Sequence, residues 1–343
     1  MQKIHGGDIY RNQVNIDFSV NINPLGMPKE VETALQKAVK KCHEYPDIMA
    51  EKLTKAVSNR LSIPQEHLAF GNGASEIFMG LVHAVKPKKI MIPIPSFYGY
   101  EYAAKATGSN IIYFPLKADK EFLPDQDFLD ALTADIELLF LANPNNPTGK
   151  LPGREYLESL LKICKEKNIY VVLDECFIEF CEHAFSMLSK IKEYDNLLLV
   201  RAFTKIYAIP GVRLGYLVCS NSAILKRVRK QLPEWNLSTF AQEAGIACMN
   251  QYGFIEETVE YVKRERQFLI ERLKEIGLYV FSSDANFILI YSQMPLYEKL
   301  LQQGILIRNC ENYRGLAKGY YRIAVKQRAK NEILWKAIGE CIE

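Results

Sequence analysis

No run of apolar residues approaches the roughly 20 needed to cross a bilayer. The first twenty residues, MQKIHGGDIYRNQVNIDFSV, lack the basic, apolar and small-residue order of an export signal. Neither membrane insertion nor export is expected, and the expected location is the cytoplasm. Histidine is scarce, with five in 343 residues and no two within four positions, so no helical metal pair is available. The eight cysteines form no CxxC pair and have no histidine partners at zinc spacing. That fits a reducing compartment and a chemistry without metal. Excess charge is lacking too: the formal net charge of +3 is too small for a nucleic-acid footprint unless it is concentrated on one face. The basic run Lys226 to Lys230 reads as the solvated side of a helix. Internal repeats and low-complexity segments are absent.

What is present is an ordinary globular composition, 48% hydrophobic and 24% charged. At roughly 100–200 residues per domain, the length means one large domain or two unequal ones. Short β-branched and apolar runs alternate with helical patterns from Glu66 to about Ser220. Strands are expected at His67–Phe70, Lys89–Ile94, Asn110–Pro115, Glu137–Ala142, Tyr170–Asp174, Asn196–Arg201 and Arg213–Cys219. IELLFLAN and IYVVLDE are apolar at every alternation, as in strands covered by helices on both faces. The intervening helices would be capped by Ser75, opened by Pro152–Gly153 and opened by Asn221. The fold class is therefore α/β, with a mixed, mostly parallel seven-stranded sheet in a large domain plus a small α+β domain. Residues 1–44 read as an irregular arm before any good helix, joining the small domain and the site. Residues 45–235 read as the large domain, and 236–343 as one long connecting helix, about Thr239 to Ile276, followed by the small domain, with short strands expected at Tyr279–Phe281, Phe287–Tyr291, Ile305–Arg308 and Tyr320–Val325 and a terminal helix to Glu343.

Ligands in such sheets bind beyond the carboxyl ends of the strands. There the sequence places GNGASE (Gly71 to Glu76), whose amides and helix start suit a phosphate. Next come PSFYGY, with Phe97, Tyr98 and Tyr100 as stacking candidates, and NPNNPTG (Asn143 to Gly149), a constrained loop with several amides aimed at one place. Asp174 and Glu175, then Thr204 and Lys205, and finally Arg213 follow. Each has a bland reading alone: a tight turn, core filling, a helix cap, a solvated lysine. Together at one sheet edge they suit a single phosphorylated, planar cofactor.

NPNNPTG, the DE at Asp174, and FTKIYAIPGVRLGY from Phe203 to Tyr216 resemble the large-domain motifs of the fold-type I pyridoxal-phosphate aminotransferases. Asn146, Asp174, Lys205 and Arg213 are spaced by 28, 31 and 8 residues, and the resemblance spans essentially the whole chain. It implies pyridoxal 5′-phosphate as cofactor. Lys205 would form the Schiff base and shuttle protons, and Asp174 would keep the pyridinium nitrogen protonated. Asn146 would bond the ring O3′ and Phe97 would stack on the ring. Ala74 and Ser75 through their amides, with Thr204 and Arg213, would hold the phosphate. Tyr45 resembles the tyrosine that reaches this phosphate from a neighbouring subunit, which implies a homodimer with shared active sites. In YYRIAV, Arg322 resembles the arginine that clamps the substrate carboxylate. Arg308, in LIRNC, would face the same way if the two strands pair, and the two together favour a substrate with more than one negative charge.

Two branches of that family are closely similar, the histidinol-phosphate aminotransferases and the threonine-phosphate decarboxylases of corrinoid biosynthesis. HGGD with DFSVNINPLG (Asp17 to Gly26), Phe177 in place of a tyrosine, and IRNCENYRGL (Ile307 to Leu316) resemble the decarboxylases. The substrate-side residues that would separate the branches are His5, Ser19 and Asn21 of the arm, with Arg308 and Arg322; Asn146 would also contact the substrate. The small-molecule substrate would be a phosphorylated amino acid or amine, with no nucleic-acid or membrane partner. A third reading is a non-catalytic regulator with the same fold, against which Lys205 argues.

Overall fold

The computed structural model describes residues 5–342; Met1–Ile4, at the start of the arm, and Glu343, at the end of the expected terminal helix, lie outside the described residues. The arm contributes a two-residue strand, β1 (Ile16–Asp17). The large sheet comprises β2 (Leu68–Gly71), β3 (Lys89–Ile94), β4 (Asn110–Pro115), β5 (Leu138–Ala142), β6 (Tyr170–Asp174), β7 (Leu197–Ala202) and β8 (Gly215–Val218). Its order is β2-β8-β7-β6-β5-β3-β4. Only β8 runs against its neighbours, β2 and β7; every other pairing in this sheet is parallel.

The doubly apolar runs explain the middle of this sheet. In β5, Leu139 and Leu141 enter one apolar layer, while Leu138, Phe140 and Ala142 enter the other. Each such side chain, fully buried, contributes roughly 1.5–3 kcal/mol, so these strands are stable only when helices cover both faces. The covering helices include Ala74–Val85, Tyr98–Ala106, Arg154–Glu166 and Ser222–Arg229. In the last, Ile224, Leu225 and Val228 are buried, which leaves the basic run on the outer side.

The small lobe holds β9 (Tyr279–Val280), β10 (Phe287–Tyr291), β11 (Ile305–Leu306), β12 (Arg308–Asn309) and β13 (Tyr320–Ala324). An antiparallel sheet runs β12-β13-β10-β9, and β11 instead pairs in parallel with β1 of the arm. The Ile16–Asp17 segment of the arm thus docks on the strand Ile305–Leu306. The lobes meet at Gly149, with φ +77, where a Cβ would lie 2.1 Å from Ser283 Oγ. Beside it, Lys150 Nζ donates to Ser282 Oγ at 2.7 Å and Asp284 N to Gly149 O at 2.8 Å.

Four local expectations are corrected. The long helix is two, Thr239–Met249 and Phe254–Glu275, broken where Gly253 takes φ +81. The expected strand from Ile305 to Arg308 divides between two sheets. A regular helix, Lys29–Ala38, lies within the first 44 residues, with Val31 buried against the main core. Ser75 is not a cap: the helix begins at Ala74 after Gly73, and the Glu76 carboxylate closes the turn by accepting from Asn72 N at 2.7 Å.

Candidate active site

The turn after β2 brings Arg213 onto a helix N-terminus. Gly73 has φ +78, and a Cβ there would lie 2.5 Å from Arg213 Nη2. A Cβ on Gly215, at the start of β8, would lie 2.7 Å from Ala74 N. Only glycines let the guanidinium and the two chains approach this closely. The first-turn amides of Ala74 and Ser75 have no partners within their own helix. An exposed guanidinium beside such amides is a donor set of the kind that suits a phosphate.

Asp174 ends β6, buried. Its Oδ2 accepts from Tyr100 OH at 2.5 Å and its Oδ1 from Cys176 N at 2.9 Å. Burial raises the Asp174 carboxyl above its ordinary value against the pull of these donors. Burial, and then the Asp174 charge, push the Tyr100 hydroxyl well up, which keeps it a donor. Of the three stacking candidates, Tyr100 lies on Phe140 with centroids 5.0 Å apart and is therefore core. Phe97 meets Tyr100 edge-on at 5.7 Å and keeps a partly open face.

Lys205 sits in the short helix Phe203–Ile206 after β7, with Thr204 buried beside it. Its ammonium is pushed down to about 8, first by burial, then by the charge of Arg322 and more weakly by Arg213 and Lys326, with Cys176 opposing. A lysine partly neutral near physiological pH is the nucleophile that carbonyl chemistry requires. The arm secures its backbone: Asn23 N donates to Lys205 O at 3.1 Å and Asn23 Nδ2 to Ile206 O at 2.7 Å.

The expectation that several NPNNPTG amides converge is corrected. Asn143 turns to Glu175 and Phe185 O, and Asn145 to Pro95 O and Thr148. Asn146 instead turns to the small lobe, where its Oδ1 accepts from Arg322 Nη1 and, at 3.5 Å, from Tyr313 OH.

On the small lobe, Arg308 and Arg322 are direct partners across β12 and β13, so their side chains leave the same face. Both are buried. Arg322 Nη2 donates to Ser19 O at 2.7 Å, while its Nε is buried without a partner. Arg308 Nη2 donates to Asn312 Oδ1 at 2.7 Å. His5 packs 6.1 Å from the rings of both Phe97 and Tyr98. Partial burial, then the charges of Arg308, Arg322 and Lys205, lower its imidazole below the ordinary value. The Ser19 hydroxyl is committed, donating to Asp17 at 2.6 Å and accepting from Gly7 N at 2.7 Å. Asn21 is buried, with its Oδ1 unpartnered and its backbone O accepting from Asn286. Tyr45 stands apart: it is 82% exposed and packs on Trp235. A cleft of about 680 Å³ opens alongside, with His5, Ser19, Phe97, Arg308, Tyr313 and Arg314 among its walls.

A family model described as aminotransferase class I and II matches residues 13–338. The chain belongs to the aminotransferase class I and II family. Within it, the chain is 36% identical over 327 residues to a threonine-phosphate decarboxylase of Salmonella typhimurium, covering 94% of this chain and 90% of that protein. It is 37% identical over 299 residues to a histidinol-phosphate aminotransferase of Clostridium kluyveri, covering 84% and 82%. The solved histidinol-phosphate aminotransferase from Clostridium acetobutylicum superposes with a TM-score of 0.89 at 34% identity, covering 95% of this chain and 99% of that one. The fold is the fold-type I α/β architecture, and the chain is an enzyme of this pyridoxal-phosphate-dependent class I and II family. Tyr313, and Tyr100 as the partner of Asp174, are members of this site that the sequence did not assign. The NYRG turn was visible as a pattern without showing which way its side chains point.

Proposed function

We propose that the chain is a pyridoxal 5′-phosphate enzyme that decarboxylates a phosphorylated hydroxy-amino acid of the L-threonine O-3-phosphate type. The donor set fits that cofactor on chemical grounds. A partly neutral lysine suits an aldehyde, a buried carboxylate suits a ring nitrogen, and the glycine-cleared Arg213 cradle suits a phosphate. Bound, the cofactor supplies an electron sink for the pair released at the substrate Cα. Lys205 would hold it through Nζ and carry the proton at Cα. Asp174, steadied by Tyr100 and Cys176 N, would keep a proton on the ring nitrogen. Asn146 would bond O3′, and Ala74, Ser75, Thr204 and Arg213 would hold the phosphate. Tyr45 would complete that cradle in the partner subunit of a homodimer. The exposed Ile48, Met49 and Trp235, which line one surface hollow, support such an interface, since apolar patches of this kind mark association.

The observation that carries the reading is the facing pair Arg308 and Arg322, two guanidinium forks on one side of one sheet beside Asn146. Such a pair matches a substrate with two anionic groups. Arg322 would take the carboxylate. Arg308, with His5 and Asn21, would take the phosphate, while Ser19 holds the arm. Phe177 leaves a ring without a hydroxyl, 5.1 Å from Phe287, which supports the decarboxylase branch. Arg322 would set how the substrate carboxylate is oriented, and that orientation would select between loss of the carboxylate and loss of the Cα proton.

The second reading, an aminotransferase acting on histidinol phosphate or a related amine, is favoured by the 0.89 superposition. The holo-protein is therefore given O-phospho-L-threonine and assayed for carbon dioxide, with histidinol phosphate plus 2-oxoglutarate as the parallel reaction. Carbon dioxide at an enzymatic rate is expected. Glutamate formation without carbon dioxide transfers the assignment to the aminotransferase reading.

A further inference from the structure

The loop joining β12 to β13 carries two adjacent side chains that reach in different directions. Tyr313 faces the cleft: its hydroxyl is 3.5 Å from both Asn146 Oδ1 and Arg322 Nη1, and its ring lies 5.1 Å from the Arg308 guanidinium carbon. Arg314 crosses to the large lobe. Its Nε and Nη2 donate to the two Glu101 oxygens at 2.7 and 3.0 Å, and its guanidinium stacks 4.6 Å over Tyr113. Glu101 lies on the helix Tyr98–Ala106, next to the Tyr100 that bonds Asp174. Gly315, φ +82, presses the same loop against the end of β3, since a Cβ there would lie 3.3 Å from the Ile94 carbonyl carbon and Pro95 N.

Exposed ion pairs contribute little as a rule, but this one differs in three respects. It is bidentate. Its cation is stacked. Its anion is a side chain only 10% exposed. Burial works to raise the Glu101 carboxyl, yet Arg314 and Lys105 overcome it and hold the group at about 2. Glu101 is therefore a permanent anion at physiological pH.

We propose that Glu101 and Arg314 are positioning residues for substrate binding. Their clasp holds Tyr313 between Arg308 and Arg322 and so sets the spacing at which the two guanidinium groups meet a doubly anionic substrate. This rests on the reading that those two arginines receive the substrate. Release of the clasp lets Tyr313 swing away, and Arg308 loses the ring beside it. The cradle at Gly73 and the Asp174–Tyr100 contact keep their geometry. The predicted signature is weaker substrate binding with an unaltered cofactor.

The test uses holo-protein and reads the dissociation constant of O-phospho-L-threonine, or of histidinol phosphate, from the change in the cofactor's visible absorbance. Arg314→Ala and the near-isosteric Glu101→Gln are each expected to weaken binding about tenfold, with the cofactor spectrum of the unliganded protein unchanged. The decisive arm is Arg314→Ala placed in a Tyr313→Ala background. If Arg314 acts through Tyr313, it costs nothing further there. An unchanged dissociation constant in Arg314→Ala, or a tenfold loss that persists in the Tyr313→Ala background, overturns the proposal. Should Arg314→Ala fold poorly, Glu101→Gln carries the same comparison. A wild-type protein that binds a phosphorylated amine but releases no carbon dioxide sinks the decarboxylase reading alone. One that binds neither amine sinks the two-arginine reading and the clasp with it.

Discussion

Lys205 is costly to the chain before the cofactor arrives. Its folded value of about 8 lies below the ordinary 10.5. Below pH 8 the folded cofactor-free protein must therefore hold a proton at an unfavourable site, and it is relieved as pH rises from about 8 toward 10.5. Cofactor-free Lys205→Met is expected to be more stable than wild type at pH 7 by on the order of 2–3 kcal/mol, with the gap closing as pH rises through that window. Urea denaturation of both proteins at several pH values measures it. Asp174 poses the complementary case, because Tyr100 supplies one of its two donors. Tyr100→Phe leaves Oδ2 buried with one donor fewer, and kcat is expected to fall about tenfold while cofactor is retained; steady-state rates alongside the visible spectrum test this. Lys205, Asp174 and Arg213 were legible as candidates because they sit at strand ends, while the roles given to them and to Asn146 came from the resemblance. The Tyr100–Asp174 bond was not legible, because it joins a helix residue to a strand end 74 residues away and depends on how that helix packs on the sheet.

Among the elements, the strands of the large sheet were legible to within two residues at either end, since a strand buried on both faces must be apolar at every position. The break between Thr239–Met249 and Phe254–Glu275 was hidden because apolar residues continue at helical spacing through it. Only the backbone at Gly253 reveals it. The mistaken cap at Ser75 has a similar cause: a serine next to a glycine turn looks like a cap, but Glu76 already serves Asn72, and the turn must clear space for Arg213. That clearance is testable. Gly73→Ala introduces both an unfavourable φ and a methyl group 2.5 Å from Arg213 Nη2, so cofactor affinity is expected to drop at least tenfold with the fold intact. Equilibrium titration of the cofactor-free variant against its absorbance, with a melting curve as control, decides the point.

At the scale of the whole molecule, the site needs both lobes, the arm and, on the present reading, a second subunit. Tyr45 is assigned to the site only by resemblance, since among the described residues its ring packs on Trp235. Mixing Tyr45→Ala and Lys205→Ala proteins after reversible dissociation is expected to regenerate about a quarter of wild-type sites, since each hybrid dimer would hold one intact and one doubly defective centre. Absence of recovered activity in verified hybrids would place Tyr45 outside the site. The pairing of β1 with β11 has a further consequence, for the chain as it is made. Ile16 and Asp17 gain their strand partners only at Ile305 and Leu306, and Ser19 O gains its donor only at Arg322. A segment made early is thus among the last to find its place, waiting while nearly 300 residues follow it. A nascent chain halted short of β11 can complete the large sheet yet has no docking strand for its own beginning, so newly made protein becomes competent for substrate only after its C-terminal lobe has emerged.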